Sequence, residues 1–261
     1  MKKLTIIQIL VLACLLITGC TDNFEEINTN PNAPEAVSAN LLTSTVTSEI
    51  TRTLTQEGYS DGNTITQLMA KNNFPGFAQF DWGDQGMWNF FYGILPEIDD
   101  ILEISRAEGT QNSTYEGIAL TLRALCFANL TDLYGNVPYA EALAGQSEGI
   151  FTPVYDNQEM IYVGVLADLE AADAALAQNQ SISGASGDVI YDGNPVQWRK
   201  LANALRLRYL LRISKQRDVS SAMQAIVNAG NYINSNSDNA TLTYSGTSNT
   251  DSWPESTGRI G

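Results

Sequence analysis

The sequence predicts an all-α protein: antiparallel helix pairs stacked side by side, with long irregular loops between them. Three observations predict it. From Ser38 onward the apolar residues recur at spacings of three and four, the period of one helix face. No segment alternates apolar and polar residues long enough to build a sheet; Thr241 to Tyr244 is the most strand-like piece. Helix-start and helix-stop residues punctuate the chain at the intervals that short helices need. The strict 34-residue tetratricopeptide period is not visible, so the repeats are read as divergent.

The elements follow in order. Leu42, Val46, Ile50 and Leu54 recur every fourth residue and make the first helix. Ile65, Leu68 and Met69 suggest a second, shorter one. Residues 73–87 break the pattern with Pro75, Gly76, Gly83 and Gly86 and read as a loop. Trp88, Phe91, Tyr92, Leu95, Ile98 and Leu102 then form one stripe of a long helix, with Pro96 expected to kink or interrupt it. Ser113 and Glu116 have the spacing of a capping box ahead of Ile118, Leu122, Leu125, Cys126 and Leu133, and Gly135 suits the C-terminal stop. Residues 135–155 form the second long loop. Asp156 with Glu159 repeats the capping logic before Ile161, Val165, Leu169, Ala172 and Leu176. Asn194-Pro195 supplies an N-cap and a first-turn proline for Trp198, Leu201, Ala202, Leu205 and Tyr209. A last helix runs from Asp218 through Met223, Ile226 and Val227 to Gly230. That gives about seven helices, with a polar stretch at 234–261 rich in Ser, Thr, Asn and Gly.

The N-terminus reads as an address. Met1-Lys2-Lys3 is basic, and Leu4 to Ile17 is apolar but for Thr5 and Gln8. Fourteen residues are too few for a bilayer span, which needs about 20. The length suits a signal-peptide core, so residues 1–19 are predicted to be removed. Ile17-Thr18-Gly19-Cys20 resembles a bacterial lipobox, in which the cysteine is lipidated, palmitate among its acyl chains, and the chain is cut before it. Each buried CH₂ contributes about 0.8 kcal/mol, so two or more acyl chains at Cys20 make a stable anchor. The other reading is an ordinary signal peptide with an incidental cysteine. Residues 20–37 read as an extended, acidic and Asn/Pro-rich leader, 38–233 as the helical-repeat domain.

Composition excludes much chemistry. Twenty-nine acids face 14 bases, a net charge of −15, and no histidine is present. Loss of residues 1–19 removes Lys2 and Lys3, leaving 29 acids against 12 bases, or −17. Such a surface repels nucleic acid, which is therefore not expected as a partner. Without histidine there is no Ser-His or Cys-His pair and the commonest metal ligand is missing. Cys126, between Leu125 and Phe127, reads as a small buried hydrophobe. No zinc or iron–sulfur spacing occurs, and the short acidic loops at Asp61, Asp81 and Asp188–Asp192 lack calcium-loop spacing. Asp99-Asp100 is a carboxylate pair, but neighbours on a helix diverge by about 100° and do not face one substrate. No catalytic residue, metal or cofactor is predicted.

Several segments together resemble the SusD/RagB family of outer-membrane lipoproteins. They are the leader from Cys20 to Asn32, Leu130-Thr-Asp-Leu-Tyr-Gly-Asn-Val-Pro-Tyr139 with Glu141-Ala142-Leu143, and Tyr155 to Ile161 with Leu166 to Glu170. Gly187-Asp-Val-Ile-Tyr191 and Trp198 to Arg208 complete the set. The resemblance covers residue 20 to about 214. It implies a tetratricopeptide-like helical scaffold that binds oligosaccharide or another nutrient and acts as a lid on a TonB-dependent transporter of the SusC/RagA type. The acidic Thr21 to Glu26 resembles the export signal that places Bacteroidetes lipoproteins on the outer face of the outer membrane; by itself it reads only as a solvated tether. Family members are usually much longer. Residues 234–261 are accordingly expected to be the truncated start of the family's second half.

A neutral sugar offers hydroxyls and flat CH faces, so its recognition uses exposed aromatic rings and polar side chains. The loop from Phe74 to Gln85 packs four aromatics into nine residues. Phe80, Asp81 and Trp82 are the ligand-contact candidates here, with Tyr59 beside Ser60-Asp61-Gly62-Asn63 as a further one. These rings either stand outward as a platform or tuck under the loop and pin it. Trp88, Tyr92, Trp198 and Tyr209 lie on apolar stripes and are assigned to the core. Residues 199–217 hold seven basic side chains, expected to pair with Asp168, Glu170 and Asp173. The predicted function is a cell-surface, non-catalytic glycan-binding lipoprotein that hands ligand to the transporter. The alternative is a structural or peptide-binding helical-repeat scaffold without glycan affinity.

Overall fold

A computed structural model of the chain describes residues 37–70, 76, 79–81, 86–247 and 252–253. The signal segment, Cys20, the leader, Phe74, Phe77 and Trp82 lie outside them. Among the described residues seven α-helices of five residues or more form an all-α array: α1 (Ala39–Glu57), α2 (Met87–Arg106), α3 (Ser113–Tyr134), the short α4 (Ala144–Glu148), α5 (Gln158–Leu176), α6 (Pro195–Ile213) and α7 (Ser220–Ala229). The described residues hold no strand, only an isolated antiparallel bridge between Val137 and Asp156.

The array grows around α3. Fifteen of its 22 residues are buried, Ile118, Ala119, Leu120, Leu122, Cys126, Phe127 and Leu130 among them, so it has almost no solvent face. It packs most extensively on α5 and α2, and also touches α6. The pairs run antiparallel. Arg106 meets Glu116 and Trp88 meets Tyr134 across α2/α3, while Arg123 meets Asp168 and Tyr162 meets Asp132 across α3/α5. Gly117 lies where Leu176 of α5 packs on α3: a Cβ there would overlap the Leu176 side chain. Cys126 is fully buried, and burial pushes its thiol pKa well up, so it stays protonated and inert.

The basic stretch of α6 pairs as its charge predicts. Arg199 reaches Asp173 at 2.7 Å and Arg206 reaches Glu170 at 2.7 Å. Asp168 does not join them; it takes a bidentate pair with Arg123 of α3, at 2.9 and 2.7 Å. Asp168 and Glu170 lie about 200° apart around α5, so they face different neighbours.

The connection from α5 to α6 is held by one carboxylate. Asp188 is 6% exposed and accepts backbone N–H from Ile190, Tyr191 and Gly193 at 2.9, 3.2 and 2.9 Å. It also accepts the buried Trp198 indole N–H at 2.6 Å. On either side the Tyr115 hydroxyl donates to the Ser186 carbonyl, and Gly187, at φ +74°, lies against the Asn40 backbone of α1. The loop therefore ties α1, α3 and α6 together.

Several local expectations are corrected. No separate helix is built on Ile65, Leu68 and Met69, which are 45, 78 and 45% exposed. Instead α1 continues through a π-helical segment, Gly58–Gly62, into one last turn, Asn63–Ile65. The α3 cap is Asn112, whose side chain accepts from Thr114 and Tyr115 N–H; Ser113 N–H goes to Gln180 and Glu116 to Arg106. The α5 cap is Asn157 rather than Asp156, because Asp156 is used elsewhere. Pro96 does not break α2, which runs through it with the proline on its exposed side. Asn194 with Pro195, and the stops at Gly135 and Gly230, stand as predicted.

Asp188→Ala leaves the buried indole N–H and three loop N–H groups without an acceptor. It should cost about 3 kcal/mol or more and lower Tm by roughly 6 °C or more, read by circular dichroism. A melt unchanged within about a degree would contradict this role.

Candidate functional site

Three elements converge at one end of the array: the start of α2, the end of α3 and the loop 135–157. Gly86, at φ +71°, turns the chain into α2, whose first-turn N–H groups lack intrahelical partners. The Trp88 N–H finds one in the Tyr134 hydroxyl at 3.0 Å. Tyr134 is the last residue of α3, and Gly135 behind it turns the chain sharply out.

The loop is pinned at both ends. Asp156 N–H donates to the Val137 carbonyl at 3.0 Å, and its carboxylate accepts N–H from Tyr139 and Ala140 at 3.0 and 2.8 Å. Gln158 donates to the Thr131 carbonyl at 2.8 Å, and the Tyr92 hydroxyl donates to the Pro138 carbonyl at 2.6 Å. Burial, then the neighbouring Tyr155 and Asp156, push the Tyr92 pKa well up, so it remains a neutral donor.

This bracing sets four rings together. Trp88 packs on Tyr92 at 4.8 Å and edge-on to Tyr134 at 5.2 Å, and lies nearly parallel to Tyr155 at 6.1 Å with 23° between planes. Tyr134 is 42% and Tyr155 63% exposed, with Leu133 and Val154 exposed beside them in sequence. Exposed rings of this kind offer flat apolar faces on which a ligand can stack.

Among the candidates read from the sequence, Phe80 and Asp81 are exposed, Phe80 at φ +68° in a tight turn where Asp81 N–H bonds the Gly76 carbonyl. Trp82 falls outside the described residues. Tyr59 lies in the π-helical segment, edge-on to Trp253 at 5.7 Å, which in turn meets Tyr244. It belongs to that separate ring group. Trp198 and Tyr209 are buried as assigned, but Trp88 and Tyr92 are only partly so. The buried face of α2 is formed by Met87, Phe91, Ile94, Leu95, Ile98, Ile101, Leu102 and Ser105. At 100° per residue Trp88 and Tyr92 stand roughly 80° and 120° from its centre, at the rim. Tyr134 and Tyr155 carry no periodic signal; the one hint was an aromatic set directly before a stop glycine. Among the described residues no group of three or more acidic or sulfur ligands is placed to hold a metal ion, and no helix is long and apolar enough to cross a membrane.

The fold defines a class, the tetratricopeptide-like helical array, here with an exposed aromatic cluster. Residues 31–260 match the SusD-like family, described as starch-binding and associating with the outer membrane, and the chain belongs to that family. Solved structures agree. An outer membrane protein of Bacteroides vulgatus described as involved in nutrient binding is 30% identical over 84% of this chain, with a TM-score of 0.65. A SusD homologue of Bacteroides fragilis is 28% identical over 80%, with a TM-score of 0.64. A chitin-binding protein is 25% identical over 78%, with a TM-score of 0.60. The chain spans 46, 44 and 45% of these three, a little under half their length. No curated protein matches it.

Tyr134→Phe removes the acceptor of the Trp88 N–H. It should cost about 1 kcal/mol, a Tm fall of roughly 2–4 °C, with a shift in tryptophan emission as the Trp88 ring loosens.

Proposed function

We propose that this chain belongs to a cell-surface lipoprotein, anchored through Cys20, that captures a neutral oligosaccharide and passes it to a TonB-dependent transporter of the SusC/RagA type. The observation that carries the reading is the exposed Trp88–Tyr134–Tyr155 platform on a chain of a starch-binding, outer-membrane family. The reading is of binding without chemistry: the protein holds a sugar face by stacking and releases it unchanged. Phe80, Asp81 and Trp82, which precede α2 in the chain, are proposed as further ligand contacts.

Calorimetry on the mature protein with maltooligosaccharides and chitooligosaccharides tests the capture step. Binding is expected with one of the two, and Tyr155→Ala should weaken it about tenfold with no change in Tm, since that ring is 63% exposed. Equal affinity in the variant would remove the platform from the site; capture of peptides instead of sugars would favour the scaffold reading.

The anchor and the hand-over are tested together. Membrane fractionation should find the protein with the outer membrane and Cys20→Ala released from it, and affinity capture of the anchored form should bring down a large β-barrel transporter. A Cys20→Ala protein still in the membrane fraction would contradict the anchor, and capture without a barrel would contradict the partner.

A further inference from the structure

The exposed aromatic rings are not spread evenly over the array. Among the described residues they are Tyr59, Phe80, Tyr134, Phe151 and Tyr155. All five come from segments that end or join helices at the platform end: the exit from α1, the α1–α2 connection, the end of α3 and the 135–157 loop. The connections at the opposite end, 107–112 and 177–194, expose none. Helix α1 runs toward the platform end because its first turn lies against Gly187, in the loop that Tyr115 at the start of α3 also holds.

Tyr59 heads a second ring group at that end. Nine residues beyond Ile50, it stands about half a turn from the buried face of α1, so the core does not claim it. It lies in the π-helical segment, a distortion that recurs at functional sites. Trp253 meets it edge-on at 5.7 Å, and Tyr244 meets Trp253 at 5.7 Å. The Tyr244 hydroxyl is enclosed and has no hydrogen-bond partner among the described residues. Burial raises its pKa, so the proton stays available to donate. An enclosed hydroxyl without a partner is costly, and a ligand hydroxyl inserted beside Trp253 would satisfy it. Partly exposed Ser60, Asp61 and Asn63 flank Tyr59 in the chain and add polar groups. An exposed ring, polar neighbours and an unsatisfied hydroxyl together suit a sugar, which offers both a CH face and hydroxyls.

The two ring groups lie too far apart for one sugar. Helices α1 and α3 both pack on α2 and scarcely on each other, so α2 lies between them. At 8–10 Å per neighbouring pair of axes, the groups stand roughly 10–20 Å apart. A chain of several sugars covers that distance. Two linked contacts on one chain raise its affinity above that of either alone.

We propose that Tyr59, Trp253 and Tyr244 form a second sugar subsite, and that the ligand is an oligosaccharide long enough to occupy it and the Trp88 platform together. The proposal rests on oligosaccharide capture at the platform and adds a minimum ligand length. Calorimetry of the mature protein compares maltotriose with maltoheptaose, and chitobiose with chitohexaose. In the series that binds, the long member should bind at least tenfold tighter than the short one. Tyr59→Ala should bring the long member down to about the affinity of the short one and leave the short one unchanged. Tyr155→Ala should weaken both, and Tyr244→Phe should weaken the long member several-fold. Melting curves should show Tyr59→Ala as stable as the parent, since its ring is exposed. Long and short members binding equally would overturn the second subsite and leave capture at the platform standing. So would a Tyr59→Ala variant that keeps the full affinity for the long member, or one that loses affinity for both lengths alike. Absence of binding at every length in both series would overturn oligosaccharide capture itself, and the second subsite with it.

Discussion

A helix with almost no solvent face organises this protein. Because α3 is apolar around most of its circumference, it is stable only when α2, α5 and α6 cover it, and the array is the consequence. The same burial dictates its exceptions. Where Leu176 of α5 packs on it, a glycine, Gly117, leaves the room that a Cβ would fill. Where a charge must pass inside, Arg123 goes in only with its bidentate partner Asp168, because removing either would leave an uncompensated charge. Where a thiol is enclosed, it becomes an inert core atom.

The exposed ring cluster arises where that coverage ends. At Tyr134 the helix stops and the chain must leave a packed interior through Gly135 and return to start α5. A loop making that excursion has backbone groups to satisfy, and Asp156, Gln158 and Tyr92 satisfy them. The result is a rigid shelf on which rings remain partly exposed instead of collapsing into the core. Preorganised aromatic surface of this kind loses little conformational entropy when a ligand stacks on it.

Much of the architecture was legible from residue patterns. The four-residue recurrence through Leu42, Val46, Ile50 and Leu54, the Asn194-Pro195 start and the glycine stops at 135 and 230 are local signals, and helix formation is local. The errors share one cause. Asn112 rather than Ser113 caps α3, and Asn157 rather than Asp156 caps α5, because distant residues claim the neighbouring groups: Gln180 takes the Ser113 N–H, and Tyr139 and Ala140 take the Asp156 carboxylate. Ile65, Leu68 and Met69 looked like a buried stripe and are exposed, because a π-helical segment alters the helical register just before them.

By itself, then, the sequence determined the helical class, most helix limits, two of the ion pairs of α6 and the family, since each rests on spacing along the chain or on segments of adjacent residues. Only the tertiary structure decided which rings face outward. Trp88 lies at the rim of its helix's buried face by an angle that periodicity alone does not resolve, and it meets Tyr134 and Tyr155 from 46 and 67 positions away. Such a cluster depends on how helices stack and where a loop is latched, and neither is a property of neighbouring residues.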